Sequence, residues 1–467
     1  MKKVFKEVST LDHRCYDEFG LSEDLLMENA AIGLKKVIEK KFKKRSSILI
    51  VSGPGNNGAD GIVLARMLYK DYDISLLLPY GAKSKMAKLQ LQRAKLIGID
   101  TVDRYDINNF DIVVDAIFGS GLSRAIDKRI QDILIELNNF NAFKIACDIP
   151  TGINIDGDID TIAFKADITV TMGAYKEALY SDKAKDFTGK IVVQDLGISR
   201  EIYEGDTDSF LLEKSDMKLP LREQKSSHKG DFGHLAVVTG KKEGAGMIAA
   251  KAAFNFGAGL VTVINNESHH FPLEIMHSST LPKNMTAVCI GMGLGNQFDK
   301  EYLNNFLFSH NKPLLIDADL FYQKDIVNLF QVKNSIVLTP HPKEFASLLK
   351  ITKIININTQ EVQKRRFELA REFTKKFPDV VLVLKGANTI IAQSGKLYIN
   401  RYGTNALSKG GSGDVLSGMI ASLLAQNYSP LDAAITGSLA HSLSARRYKK
   451  NSYSFTPLEL IEELKCL

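Results

Sequence analysis

Short apolar runs alternate with amphipathic segments throughout the first half of the chain. The run SILIVS at Ser47–Ser52 is typical of a buried strand, and similar runs predict strands at 74–78, 112–115, 144–148 and 168–171. Apolar residues from Leu25 to Ile38 recur at helical spacing and predict a helix capped by Ser22, and a second helix is expected at 62–69. Repeated strand–helix–strand units predict an α/β fold with a mainly parallel sheet, in which ligands bind at the carboxyl ends of the strands.

The second half starts a new series of strands and helices. Pro220 and the polar stretch 222–229 are expected to separate the halves. We predict two domains, 1–208 and 209–467. Glycines introduce an alanine-rich helix that ends near Gly257 and an apolar helix that ends near Ala425. Strands are predicted at 235–239, 258–263, 287–290, 314–317, 335–339 and 380–384, followed by a hairpin of 389–392 and 397–400.

Composition excludes several classes of protein. The chain has 467 residues, 45% apolar and 24% charged, which is typical of globular domains and unlike a disordered protein. A net charge of +6 without a basic stripe gives no support to nucleic-acid binding. The N-terminus lacks an apolar signal segment, and the uncharged run 415–431 contains polar residues and Pro430, so no membrane partner is expected. Four scattered cysteines fit a reducing compartment, and we predict a cytoplasmic protein.

Three loops of the first half offer oxygen ligands at the ends of predicted strands. They read GPGNNGADG at 53–61, DAIFGSGL at 115–122 and DIPTG at 148–152. The glycines of the first loop permit close backbone approach, and its amides precede a helix, as in a phosphate-binding loop. The Asn57 amide, the Asp115 carboxylate and the Thr151 hydroxyl or carbonyl are hard ligands, which suit a hard cation.

These loops carry a family resemblance. Together with MENA at 27–30, VVDAIFGSGLSR at 113–124, DIPTGIN at 148–154 and MGAYKEAL at 172–179, they resemble the YjeF N-terminal family over roughly 5–205. That family contains NAD(P)HX epimerases, so the resemblance implies a Rossmann-like three-layer sandwich, epimerisation at C6 of the hydrated nicotinamide cofactors NADHX and NADPHX, and potassium bound at Asn57, Asp115 and Thr151. The substrate contacts that it implies are Asn56, Asn57, Gly58, Ala59, Asp60, Gly119, Ser120, Gly121, Leu122, Ser123, Arg124 and Asp148.

The chain departs from the family pattern at Ala59, Thr151 and Asn154, where glycine, serine and aspartate are usual. A β-carbon at 59 matters only if that residue needs positive φ. Epimerisation requires proton transfer to and from the ring nitrogen and the hydroxyl. We predict Asp148 and Lys176 as the catalytic pair, with a solvated surface lysine as the alternative for Lys176.

The strongest motif of the second half is GGSGDVL at 410–416. Glycine amides at a helix start form an anion hole, in which Asp414 can take a proton from an attacking hydroxyl. Alone the motif is weak, because glycine followed by aspartate also caps ordinary helices. It is accompanied by GMGLG at 291–295, DAD at 317–319, TPHPKE at 339–344 and KGANT at 385–389.

In this order the motifs resemble the NAD(P)HX dehydratase family, with a ribokinase-like fold, over about 215–465. The resemblance implies that ADP or ATP, with Mg²⁺, phosphorylates the C6 hydroxyl so that phosphate leaves and NAD(P)H returns. Asp414 is then the base, with substrate contacts at Ala245, Gly293, His341 and Asp414. The adenine nucleotide is expected at Lys385, Gly386, Ala387, Asn388, Thr389, Gly411, Ser412 and Gly413.

Two departures lie in this half. Lys409 belongs to a segment before the GGSGDVL motif that differs from the family pattern, and it either faces the phosphates or is merely exposed. Tyr322 lies near a position at which the family often has asparagine. The chain is predicted to be a fused repair enzyme that epimerises (6R)- and (6S)-NAD(P)HX and dehydrates the 6S form, and such proteins often assemble, so a homo-oligomer is expected. The alternatives are a ribokinase-like small-molecule kinase and a non-catalytic N-terminal half used for ligand sensing or dimerisation.

Overall fold

The computed structural model describes residues 1–102, 110–122, 125–265, 272–295, 300–333 and 335–467. The chain forms two compact units, which we call the N-terminal unit (Lys3–Thr207) and the C-terminal unit (Asp208–Leu467 with Met1–Lys2). Residues 220–229 therefore belong to the C-terminal unit, and the prediction that they separate the halves is wrong. Among the described residues no helix is both long and apolar enough to cross a bilayer.

The described part of the N-terminal unit contains a seven-stranded parallel sheet in the order β4-β3-β2-β5-β6-β7-β9, and a separate parallel pair, β1 and β8. The strands are β1 (Lys2–Phe5), β2 (Ser47–Ser52), β3 (Asp73–Leu77), β4 (Thr101–Val102), β5 (Ile112–Ala116), β6 (Phe143–Cys147), β7 (Ile168–Met172), β8 (Tyr175–Lys176) and β9 (Lys190–Gln194). The helices are α1 (Ser9–Asp17), α2 (Glu23–Lys41), α3 (Asn56–Leu68), α4 (Lys85–Leu96), α5 (Lys128–Asn139) and α6 (Arg200–Tyr203).

Alternation along β2 explains the layers of this unit. Ile48 and Ile50 belong to one apolar core with residues of α2, α3 and α4, whereas Leu49 and Val51 belong to a second core with residues of α5. Both faces of the strand are buried, which is why its sequence is an uninterrupted apolar run. The predicted parallel three-layer sandwich is confirmed, as is the cap of α2, where Ser22 Oγ accepts a hydrogen bond from Leu25 N.

The described part of the C-terminal unit contains a mixed sheet in the order β13-β12-β11-β14-β15-β16-β17-β18-β19-β10, antiparallel only at β17–β18 and β18–β19. The strands are β10 (Ser209–Leu211), β11 (His234–Val238), β12 (Leu260–Ile264), β13 (Met276–Ser278), β14 (Ala287–Ile290), β15 (Leu314–Ile316), β16 (Ile336–Leu338), β17 (Val380–Leu384), β18 (Thr389–Gln393) and β19 (Lys396–Asn400). The helices are α7 (Glu243–Asn255), α8 (Lys300–Phe308), α9 (Ile326–Val332), α10 (Pro342–Ile351), α11 (Thr359–Lys364), α12 (Arg366–Lys376), α13 (Ser412–Ala425), α14 (Pro430–Arg447) and α15 (Pro457–Leu464).

Small residues permit close packing in this unit. The apolar helices α7, α13 and α14 share one core, and a β-carbon at Gly418 would overlap the backbone carbonyl of Ala249. The predicted hairpin is confirmed. Its turn residues Ser394 and Gly395 both have positive φ, +49° and +79°, as a two-residue turn between twisted strands requires.

Candidate active sites

A cavity of about 350 Å³ lies at the carboxyl ends of β2, β5 and β6 in the N-terminal unit. Nine of the residues predicted from the sequence line it, together with Asp12 of α1, which sequence reasoning missed. The nine are Asn56, Asn57, Asp60, Gly119, Ser120, Gly121, Leu122, Asp148 and Lys176. Among the other predicted contacts, Gly58 and Ala59 are buried and do not line the cavity, and Ser123 and Arg124 lie outside the described residues.

The glycine-rich loop is shorter than its sequence predicts. Helix α3 begins at Asn56, so Gly58 and Ala59 are helical and neither has positive φ. Ala59 is therefore accommodated without strain. The glycines serve close packing instead, because a β-carbon at Gly58 would overlap the backbone of Gly53 and one at Gly61 would crowd Ala116.

Asp115 and Thr151 are joined by hydrogen bonds beside this cavity. Thr151 donates from N to Asp115 Oδ2 (2.8 Å) and from Oγ1 to Asp115 Oδ1 (2.7 Å), and Ile117 N also donates to Oδ1. Burial raises the pKa of the Asp115 carboxyl to about 6, although these hydrogen bonds oppose the shift. In the described part of the chain no cation pairs with Asp115.

Asn57 is the third predicted cation ligand. Its Nδ2 is buried without a hydrogen-bond partner in the described structure, and its Oδ1 lies so near Gly119 that a β-carbon there would be 2.9 Å away. Asp148 Oδ2 would also be 2.9 Å from a β-carbon at Gly119. The absence of a side chain at Gly119 therefore keeps the space between Asn57 Oδ1 and Asp148 Oδ2 open. A buried carboxylate with neutral partners, a hydroxyl and an amide suit a hard cation.

Asp148 and Lys176 form a buried ion pair in the cavity wall. Lys176 Nζ donates to Asp148 Oδ1 (2.6 Å), Thr171 Oγ1 (2.9 Å) and Met172 O (2.9 Å), which uses all three ammonium hydrogens. Lys176 is 1% exposed, so the alternative of a solvated surface lysine is wrong. Burial works to raise the pKa of Asp148, but the Lys176 ammonium outweighs it, and that pKa is lowered.

Two other carboxyl groups line the cavity and differ from Asp148. Burial raises the pKa of Asp60 well above its ordinary value, and the nearby carboxylates of Asp148 and Asp12 add to the shift. Asp12 accepts a hydrogen bond from the buried Tyr203 hydroxyl (2.8 Å), and burial also raises its pKa. The sequence signal for Asp12 is weak, because Tyr203 lies 191 residues away.

In the C-terminal unit the candidate anion hole forms at the start of α13. Gly411 has φ +92°, which places the amides of the following residues at the helix N-terminus, and His441 Nε2 lies 2.9 Å from Ser412 O. Asp414 occupies the first turn, and burial raises the pKa of its carboxyl to about 7, with help from Asp317 and Glu344 and against Lys385. His441 was not predicted, because an isolated histidine in an apolar helix carries no sequence signal.

Lys385 connects the other motifs of this unit. Its Nζ donates to Asp317 Oδ1 (2.9 Å) and lies 3.8 Å from Glu344 Oε2. A β-carbon at Gly413 would be 3.5 Å from the same nitrogen, so the ammonium faces the anion hole. Burial works to lower the pKa of Lys385, but the Asp317 and Glu344 carboxylates outweigh it and raise that pKa. Ser417, which sequence reasoning missed, donates to Asp317 Oδ2 (2.6 Å).

His341 and Glu344 cap each other at the start of α10. Glu344 Oε2 accepts from His341 N (2.8 Å), and His341 Nδ1 accepts from the amides of Lys343 and Glu344. Burial raises the pKa of Glu344 to about 7 and lowers that of His341. His341 is thereby oriented beside the Lys385 and Asp317 pair.

The remaining predicted contacts lie on three loops. Arg366, which was not predicted, donates to the carbonyls of Leu384, Lys385 and Asn388 and so supports the loop that also contains Gly386, Ala387 and Thr389. Ala245 lies in the first turn of α7, and Gly293 O accepts from Lys242 N (3.0 Å), next to that turn. Lys409 donates to the carbonyl of Tyr453 (2.8 Å) and is exposed, and Tyr322 is 48% exposed.

Comparisons with known proteins match both units. The family model described as YjeF-related protein N-terminus matches residues 23–178, and the one described as NAD(P)H-hydrate dehydratase matches 235–465. The chain is 44% identical over 477 residues to the bifunctional NAD(P)H-hydrate repair enzyme Nnr of Helicobacter pylori, covering 100% of both chains. It is 31% identical to the Escherichia coli enzyme of the same name, over 92% of this chain and 86% of that one.

Two solved structures resemble about half of the chain. An ADP/ATP-dependent NAD(P)H-hydrate dehydratase from Bacillus subtilis, co-crystallised with ATP and Mg²⁺, is 25% identical over 52% of this chain and 91% of that chain, with a TM-score of 0.44. A ribokinase-like superfamily protein from Enterococcus faecalis is 24% identical over 56% of this chain and 96% of that chain, with a TM-score of 0.45.

Proposed function

The chain belongs to the family of bifunctional NAD(P)H-hydrate repair enzymes, and we propose that each of its units carries one of the two reactions. The protein epimerises NAD(P)HX and dehydrates it in an ADP/ATP-dependent reaction. The full-length identity to a bifunctional repair enzyme carries this conclusion. The epimerase match lies in the N-terminal unit and the dehydratase match in the ribokinase-like C-terminal unit, which supports the division.

In the N-terminal unit we assign substrate binding to the cavity and its rim. The ionised Asp148, held by Lys176, would stabilise positive charge that develops on the nicotinamide ring. All three ammonium hydrogens of Lys176 are used within the protein. Its role is therefore to orient Asp148 and keep it ionised rather than to transfer a proton itself. Potassium held by Asn57, Asp115 and Thr151 would offset the buried Asp115 charge and connect three loops. The predicted contacts from Asn56 to Asp60 and from Gly119 to Arg124 stay part of this proposal.

In the C-terminal unit Asp414 is the proposed base. Its carboxylate takes the proton of the C6 hydroxyl as that oxygen attacks the terminal phosphoryl group, and the 411–414 amides stabilise the transferred group. Phosphate then leaves C6 more readily than hydroxide, and elimination restores NAD(P)H while ADP becomes AMP. The carboxylates of Asp317, Glu344 and Asp414 surround one described cation, Lys385, and this excess of negative charge suits Mg²⁺ carried by the nucleotide phosphates.

The nucleotide is proposed to bind at 385–389 and 411–413, and the hydrated cofactor at Ala245, Gly293, His341 and Asp414. Lys385, which faces Gly413, supports this placement. A cytoplasmic location and a homo-oligomeric state stay predictions.

The proposal is tested by recovery of NADH absorbance from a mixture of both NADHX epimers with Mg²⁺, K⁺ and either ADP or ATP. Wild type is expected to restore all of the absorbance, and the Asp414→Asn variant to lose at least 10³-fold in rate. If K⁺ is replaced by a large organic cation, or Asp115 by asparagine, we expect only the 6S fraction to be converted to NADH, so that absorbance recovery stops there. Recovery that stops there in wild type with K⁺ would refute the epimerase assignment. A stable phosphorylated product without NADH would favour a kinase.

A further inference from the structure

The four ionisable side chains described in the wall of the N-terminal cavity are Asp12, Asp60, Asp148 and Lys176. Three of them have hydrogen-bond partners. Lys176 uses its three hydrogens within the protein, Asp148 accepts from Lys176, Thr171, Met172 and Ser120, and Asp12 accepts from Tyr203. In the described structure no hydrogen bond reaches the carboxyl group of Asp60.

Asp60 occupies an environment that favours its neutral form. It lies on α3 and lines the cavity. The titratable groups that interact electrostatically with it are mostly acidic or neutral. Among the described residues these groups are Asp12 and Tyr16 of α1, Glu23 of α2, Cys147 of β6, Asp148 and one cation, Lys176. Lys176 Nζ lies 2.6 Å from Asp148 Oδ1, and this ion pair offsets the positive charge of Lys176. Lys176 therefore does little to stabilise an ionised Asp60.

The C-terminal site divides its carboxyl groups in the same way. Asp317 is held by Lys385 and Ser417, whereas the carboxyl group of Asp414 accepts no hydrogen bond from a described residue. A carboxyl group without a fixed partner is free to exchange a proton with substrate, and one held by lysine keeps its charge and position. The two roles require different environments, which both units supply.

We propose that Asp60 is the acid catalyst of the epimerase reaction, donating its proton to the C6 hydroxyl of NAD(P)HX. As the proton arrives, the C6–O bond breaks with its electron pair on oxygen, water leaves, and the ring-nitrogen lone pair forms the N1=C6 iminium ion. Asp148 faces the resulting positive charge. A water molecule then adds to the opposite face of C6, and the Asp60 carboxylate takes up the proton that this water releases. The inference rests on the proposed epimerase function.

The test follows the conversion of purified (6R)-NADHX into the 6S epimer by chromatography, with K⁺ and without nucleotide, so that dehydration cannot run. Asp60→Asn is expected to lower kcat at least 100-fold while KM changes less than about threefold. In wild type kcat is expected to fall as the pH rises, because the acid form of Asp60 is lost, and Asp60→Asn should lack this decline. Asp60→Glu should restore part of the rate.

Asp73→Asn is the matched control, because Asp73 is exposed at the start of β3 and away from the cavity. It should keep the wild-type kcat, and the melting temperature of each variant shows that it is folded. The proposal is overturned if Asp60→Asn keeps kcat within about fivefold, loses only in KM, or retains the high-pH decline. It is also overturned if Asp12→Asn, rather than Asp60→Asn, abolishes that decline. A wild-type protein that does not interconvert the epimers refutes the epimerase function itself.

Discussion

In each unit a lysine pairs with an aspartate that directly follows a parallel strand. Asp148 follows β6 and pairs with Lys176, and Asp317 follows β15 and pairs with Lys385 at 2.9 Å. Removing one partner of a buried pair leaves an uncompensated charge, which costs about 3–5 kcal/mol, whereas exposed pairs contribute about 0–1 kcal/mol. Asp148 also has φ +67°, a backbone conformation that is costly for residues other than glycine, so the hydrogen bonds around it stabilise a strained position.

Lys176→Met is therefore expected to destabilise the N-terminal unit by about 3–5 kcal/mol, because Asp148 stays buried without its cation. The double variant Asp148→Asn with Lys176→Met should recover a large part of this loss. Urea denaturation followed by circular dichroism measures the effect. Lys44→Met, which breaks the exposed pair with Asp71, is the control and should cost far less, because water already solvates both charges. Equal costs for the two lysines would contradict the role assigned to burial.

At the scale of elements, the first site depends on how closely α3 approaches β2 and β5. Three glycines make this approach possible: a β-carbon at Gly53 would overlap the backbone of Ile117, one at Gly58 would overlap the backbone of Gly53, and one at Gly61 would crowd Ser52 Oγ and Ala116. None of them has positive φ, so their smallness rather than their conformational freedom is what the structure uses. The approach fixes the direction in which Asn57 and Asp60 leave the helix and enter the cavity wall.

Gly58→Ala is expected to cost about 1–3 kcal/mol and to lower epimerase activity, because the new methyl group overlaps the Gly53 backbone and pushes α3 from the sheet. Gly55→Ala is the control for stability alone, since a β-carbon there meets nothing within 4 Å and its φ of −100° suits any residue, whereas its place in the cavity wall excludes it as a control for activity. Melting temperature would be compared for both variants, and epimerase rate between Gly58→Ala and wild type. Equal melting temperatures would show that the sheet accommodates the methyl group.

At the scale of the whole molecule, buried carboxyl groups make stability depend on pH. Burial raises the pKa of Asp115 to about 6 and those of Glu344 and Asp414 to about 7, from ordinary values of 3.8, 4.5 and 3.8. Between about pH 4 and 7 the folded chain therefore keeps protons that the unfolded chain has released. Because the folded state binds more protons in this range, these groups make folding less favourable as the pH rises.

Asp414→Asn is expected to raise the melting temperature at pH 8, where wild type buries the ionised carboxylate, and to change it little at pH 4. The expected gain in the free energy of unfolding is about 1–3 kcal/mol, and each kcal/mol raises the melting temperature by about 2–4 °C. Differential scanning calorimetry without nucleotide or metal measures it. Asp432→Asn, at an exposed ion pair with Lys218, is the control and should show no such gain at pH 8. A gain at pH 4 that equals the gain at pH 8 would contradict a protonation effect.

Much of the fold and of the candidate sites could be predicted from the sequence. Strands β2, β14 and β17 begin and end where their apolar runs do, because a strand buried on both faces is apolar throughout. The motifs also identified most of the N-terminal cavity wall, since glycine-rich loops and strand-end carboxylates are read directly along the chain. The helix start at Asn56 was not predicted, because the glycines suggested a turn and only the close packing of α3 explains them.

By itself, the sequence determined the α/β class, the two-part organisation and the residue types available for chemistry, because local periodicity and motif spacing encode these. Only the tertiary structure decided which acidic groups are fixed and which are free. The pairs Asp148–Lys176, Asp317–Lys385 and Asp12–Tyr203 join residues 28, 68 and 191 positions apart, a separation that no local pattern specifies. Burial and these distant partners set each pKa, so the division of labour between Asp60 and Asp148 arises only when the chain is folded.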